Sequence, residues 1–116
     1  MTYQGRRMLH LHLHPADPGQ VRASIHGVVD ADAAQNIADT VAGLVTADTR
    51  EVHLDVDQAN ALSAAAAAIL LFALLRAART HDPAAAVTVH RADSRTRAHM
   101  RELGLDRLIA HSDHPL

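Results

Sequence analysis

Between Leu62 and Leu75 the chain runs for fourteen residues with Ser63 as the only polar member. A bilayer crossing needs roughly 20 apolar residues, so this segment is too short to span one. Read as a helix from Ser63 to about Thr80, it is apolar around most of its circumference. Such a helix has to be internal or covered by another chain. One contact with a sheet would not bury Ile69, Leu70, Leu71, Phe72, Leu74 and Leu75 together, which points to self-association or to a partner. The alternative is an Ala-rich core helix sheathed by its own domain. With 116 residues the chain has room for one domain and one core. Only Tyr3 and Phe72 are aromatic, so that core is built from Leu, Val, Ile and Ala.

The remaining elements follow from periodicity. Met8 to His14 alternates strictly, which predicts a half-buried strand with Leu9, Leu11 and Leu13 inward. Pro15 to Gly19 is dense in turn formers and closes a hairpin. Val21, Ala23 and Ile25 alternate with Arg22, Ser24 and His26 in a second strand that Gly27 and Asp30 end. Asp30 or Asp32 caps a helix through about Val45, with Ile37, Val41, Leu44 and Val45 at helical spacing. Val52, Leu54 and Val56 make a third strand, followed by a loop and the apolar helix, which Asp82-Pro83 stops. Ala86 to His90 is a fourth strand. Asp93 or Ser94 caps a third helix closed by Gly104, Leu105 to Ala110 forms a further short element, and the last residues fray. This order predicts a single α/β domain with a mixed sheet.

Composition excludes several classes. No cysteine is present, so there are no disulfides, thiolate metal sites or cysteine nucleophile, in keeping with a reducing cytosol. A formal net charge of −2 provides no basic field for nucleic acid. All eleven basic residues are Arg, which reads as base composition of the gene and carries no function. Met1 to Arg7 lacks the apolar segment of a signal peptide, so the expected location is cytoplasmic, with no membrane contact.

Several landmarks then fall in one order: Gly27-Val28-Val29-Asp30, the strand Val52-His53-Leu54-Asp55-Val56, and Leu103-Gly104-Leu105 near the end. Together they resemble the STAS domain family of sulfate transporters and anti-sigma-factor antagonists, over roughly Met8 to Ile109. The resemblance implies a single STAS-like α/β domain with a mixed four- to five-stranded sheet and three to four helices packed mainly on one face. The implied boundaries are a tail at 1–7, the domain at 8–110 and a second tail at 111–116. In phosphorylatable members an aspartate–serine–serine–glycine tetrad opens the helix after the central strand. Here the tetrad reads Ser63-Ala64-Ala65-Ala66, so the resemblance implies the interaction module and not the phosphoserine switch.

A serine at a helix start is well placed to carry phosphate, because free N–H groups and the helix dipole stabilise the charge. Ser63 is the only hydroxyl at this junction. It is either an N-cap or a phosphate acceptor displaced by one residue, and the cap is the favoured reading. The expected partner surface comprises Asp55, Asp57, Gln58, Asn60, Ser63 and Ala64, with the apolar helix rim supplying contact and Asp57, Gln58 and Asn60 giving orientation.

Ten histidines form a second pattern. His10, His12 and His14 with His26, His53 and His90 fall opposite the apolar residues of their strands and would share one open sheet face. No carboxylate or cysteine sits beside the first three at a ligand spacing, so metal binding there is adventitious at most. Joint protonation on mild acidification is a second use for this face. No phosphate loop, metal-protease helix or nucleophile elbow is present, and Asp55 with Asp57 reads as a solvated carboxylate pair at a strand end. The expected function is therefore non-enzymatic and needs no cofactor. It is binding of a histidine-kinase-like ATPase anti-sigma factor, which regulates transcription indirectly. The alternatives are a non-phosphorylatable homo-oligomer or scaffold subunit, and a small-ligand-binding domain using the same loop.

Overall fold

The computed structural model describes residues 11–116, with the side chains of Asn60 and Ala61 excepted. The expected tail at 1–7 and the Met8 to His10 part of the first predicted strand, including the site candidate His10, lie outside the described residues. Five strands form one sheet in the order β1-β2-β3-β4-β5. They are β1 (Leu11–Leu13), β2 (Gln20–Val29), β3 (Glu51–Leu62), β4 (Ala86–His90) and β5 (Ala110–Ser112). β1 is antiparallel to β2, and all later neighbours are parallel, which makes the sheet mixed. Helices α1 (Ala31–Leu44), α2 (Ala64–Ala78) and α3 (Ser94–Glu102) join the parallel strands, and a short 3₁₀ turn spans Leu105–Arg107.

Each helix starts where the sequence places a cap. Asp30, Ser63 and Asp93 accept the N–H groups of Ala33, Ala66 and Thr96 respectively, satisfying donors with no partner inside the helix. Gly104 adopts φ 73°, the left-handed conformation that ends α3 at the lowest steric cost for glycine.

The helices lie on one face of the sheet. Val21, Ala23 and Ile25 of β2, Val52 and Leu54 of β3, and Val87 and Val89 of β4 are buried beneath them. α2 is packed against α1 on one side and α3 on the other, over β3 and β4. That placement buries Ala66, Ala67, Leu70, Leu71, Leu74, Leu75 and Ala78 within the domain. One domain thus sheathes most of the apolar helix, because flanking helices supply the cover that a single sheet contact lacks. Phe72 remains 43% exposed, and Leu13, expected inward, is 47% exposed on the edge strand.

One expectation is sharpened and one is corrected. β2 runs through Gly27 and stops just before Asp30, and β3 does not give way to a loop after Val56. Both strands continue, to Val29 and Leu62. β2 advances from Ser24 to His26 while β3 advances from Asp55 to Gln58, so β3 carries one extra residue there. A second extra residue falls between Ala59 and Ala61, opposite the step from Gly27 to Val28. These are β-bulges, which break alternation and bend the strand. Gly27 takes φ 81° at the second one.

Candidate functional site

The carboxyl half of β3 and the starts of α2 and α3 meet at one end of the sheet, where parallel α/β folds place their sites. Asp55 is the anchor. Although it points to the sheet face without helices, it is only 3% exposed. Its Oδ2 accepts from Arg91 Nε at 3.0 Å and Nη2 at 2.8 Å, while Oδ1 accepts the Asp57 N–H at 2.9 Å. One buried carboxylate therefore fixes the first bulge and an arginine from the next strand end. The bond to Asp55 raises the Arg91 pKa, keeping its guanidinium charged. Arg91 also has φ 57°, a conformation that costs a non-glycine residue free energy and persists where surrounding contacts impose it.

The exposed Asp57 carboxylate lies 3.5 Å from Arg91 Nη1 and accepts from Gln58 Nε2 at 3.1 Å. The structure thus links Asp55, Asp57 and Gln58 around Arg91, and Asp57 and Arg91 line a hollow of about 100 Å³ together with Val56, Leu62 and Thr96. The Asn60 side chain lies outside the described residues. Ser63 is exposed, and its hydroxyl accepts the Ala66 N–H at 3.1 Å, so it serves as the α2 cap. Ala64 and Ala65 are exposed at the first turn. Continuing from Ala65 at helical spacing, the half-buried Ile69 and the exposed Phe72 and Arg76 form one outward stripe of α2.

At α3, the Thr96 N–H bond lowers the Asp93 pKa, so the cap is a carboxylate at neutral pH. Sequence reasoning missed Arg91, since nothing in the local pattern announces a left-handed arginine. It also did not single out Phe72 from the other apolar residues of the helix, although its phase relative to Leu71 and Leu75 places it outward.

The histidine face forms as expected for the described members. His12 lies edge-on to His14 and His26, with ring centroids 4.7 and 6.2 Å away. His14 hydrogen-bonds with Ser24. Burial lowers the His14 pKa first, with the nearby His12 and Arg22 acting in the same direction. His53 and His90 touch each other directly, and Glu51 completes that end of the face. Among the described residues, no three ligand side chains are grouped to hold a metal ion. None of the described helices is long and apolar enough to cross a membrane.

Comparison with known proteins identifies this architecture. The anti-sigma factor antagonist SpoIIAA in its unphosphorylated form is 11% identical, with a TM-score of 0.65 over 90% of this chain and 89% of that one. The Bacillus cell fate determinant SpoIIAA in the phosphorylated form is 12% identical, with a TM-score of 0.61 over 87% and 89%. An anti-sigma factor antagonist from Mycobacterium paratuberculosis is 17% identical, with a TM-score of 0.63 over 90% and 85%. At these identities the likeness establishes the fold. Among curated proteins none matches the sequence. A family model described as Mlab, STAS domain, matches residues 13–110, and the chain belongs to the STAS domain family.

Proposed function

We propose that this chain is a non-enzymatic protein–protein interaction module that binds an anti-sigma factor of the histidine-kinase-like ATPase type in the cytoplasm. By occupying that partner it regulates transcription without touching DNA. The observation that carries this reading is the outward stripe of α2, running from the exposed Ser63 cap through Ala65 and Ile69 to Phe72. A large aromatic left in water beside small residues suits a helix face that another protein covers. Asp57 and Gln58, steered by Arg91, give the polar rim that sets orientation. The fold shared with anti-sigma factor antagonists supports the choice of partner class.

The module works without a phosphoserine switch. Ala64 and Ala65 have no hydroxyl, and the Ser63 hydroxyl is engaged as the α2 cap. Binding is accordingly constitutive, and regulation lies in the partner's nucleotide state or in the amount of this protein. A tagged chain incubated in native lysate with ATP or ADP tests the reading, with bound proteins and Ser63 analysed by mass spectrometry. Recovery of a kinase-like ATPase with unmodified Ser63 is the expected outcome. Recovery of this chain alone in a defined assembly would favour the scaffold reading instead, and phosphate on Ser63 would restore the switch.

A further inference from the structure

On the face of the sheet opposite the helices, Glu51, His53 and His90 form a line of hydrogen bonds that ends on the C-terminal tail. His90 Nδ1 lies 2.8 Å from the His114 carbonyl oxygen, and a carbonyl only accepts, so His90 Nδ1 carries a proton. At the other end, His53 Nε2 lies 2.8 Å from Glu51 Oε1. That bond is the main cause lowering the Glu51 pKa, so Glu51 is a carboxylate at neutral pH and His53 Nε2 is the donor. Between the rings, His53 Nδ1 and His90 Nε2 are 2.8 Å apart, which requires one further proton between them. The three contacts need three ring protons, whereas two neutral imidazoles hold two.

We propose that His53 and His90 share one extra proton as a hydrogen-bonded cationic pair, and that this pair is an acid-sensitive latch holding the C-terminal tail on the open face of the sheet. Adding a second proton makes both facing nitrogens donors, so their contact is lost. Two cations would then stand with ring centroids 5.1 Å apart, and His90, 8% exposed, cannot be hydrated in place. His90 turns out, and its bond to His114 goes with it. Losing the shared proton has a milder consequence. Two ring protons still serve the ring–ring and His114 contacts, and the half-exposed Glu51 turns to water.

The surrounding charges support this polarity. On β2, Arg22 stands opposite His53 in register and opposes any second cation, and beyond it β1 brings His12 and His14. On β3 itself, Asp55 is engaged by Arg91 from the end of β4, which leaves Glu51 as the counter-charge of the pair. Beyond β4, His111 lies 3.7 Å from Asp113, and the His114 N–H donates to Ser112 Oγ at 3.2 Å. β5 keeps its own pairing with β4, and the Arg91 N–H donates to the Ser112 carbonyl at 2.7 Å, so the latch governs the tail beyond Ser112 and not the strand.

Long-range ¹H–¹⁵N spectra of the full ¹⁵N-labelled chain at pH 7 count the ring protons directly. Three protonated positions over the four nitrogens, with coupling across the His53–His90 contact, are expected. Two protons, one on each ring, would overturn the proposal. On titration to pH 4.5 the amides of Asp113 and His114 should shift in the same step that splits the pair, and amides that stay still through that step would contradict it. His53→Phe keeps a ring but removes the first cation, so the tail step should vanish while the β5 signals persist; an unchanged step would refute the latch. Glu51→Gln, at a half-exposed position, should make the third ring proton leave at about tenfold higher proton concentration, and no change there would also refute it.

Discussion

The two faces of the sheet are built by different rules. Under the helices, Ile25, Leu54, Val87 and Val89 pack with Leu70, Leu71 and Leu74, and any apolar group of the right volume would serve there. On the open face, each side chain answers a particular neighbour: Asp55 answers Arg91, His53 answers Glu51 and His90, and His14 answers Ser24. The first face holds the fold together through area, which has no direction. The second gains little net free energy per contact, but it fixes the bulge, the left-handed Arg91 and the tail. Stability therefore comes mainly from the covered face, and the shape of the β3–α2 junction from the open one.

Substitutions on the two faces should separate these roles. Leu70→Ala empties a fully buried position under the helices and should cost about 2–5 kcal/mol in chemical denaturation, the largest loss of the set. Asp55→Ala on the open face should cost about 1–3 kcal/mol, since it strands the Asp57 N–H and the Arg91 head, part of which reaches water. If Asp55→Ala were as costly as Leu70→Ala, the division between the faces would fail.

Asp93→Ala should lose about 1 kcal/mol of the α3 cap at neutral pH. Because the folded carboxyl is held below its ordinary value, that contribution is present above the unfolded carboxylate range and disappears as pH falls through the folded value. Asp93→Asn should keep most of the cap and flatten this acid dependence in denaturation curves taken from pH 7 to pH 3. On the outward stripe, Phe72→Ala should alter stability by no more than about 0.5 kcal/mol. A larger loss would mean that Phe72 belongs to the core.

The covered face was legible in the sequence because its signals are local and repeated. Val21, Ala23 and Ile25 alternate, Ile37 and Val41 recur at helical spacing, and the caps stand where Asp30, Ser63 and Asp93 precede their helices. The resemblance to STAS domains was legible for the same reason, as an ordered set of strand ends and helix starts. What the sequence hid is non-local. The extension of β3 to Leu62 depends on pairing with β2 across two bulges, so the alternation slips at Asp57-Gln58, and the polar, weakly strand-forming stretch from Asp57 to Asn60 reads as a loop. The Asp55–Arg91 pair joins positions 36 apart in sequence, and the His53–His90 contact joins positions 37 apart. The shared face of His12, His14, His26, His53 and His90 could be anticipated from strand phase. Which of them touch is set by register between strands, and one sequence does not encode that visibly.

The most direct test of the central claim, that the outward stripe of α2 is the partner surface, compares the native chain with Phe72→Glu in the same nucleotide-supplemented capture. The account predicts that the native chain recovers a kinase-like anti-sigma ATPase and that Phe72→Glu, with an unaltered thermal midpoint, does not. Equal recovery by both chains, or no ATPase with either, would contradict it.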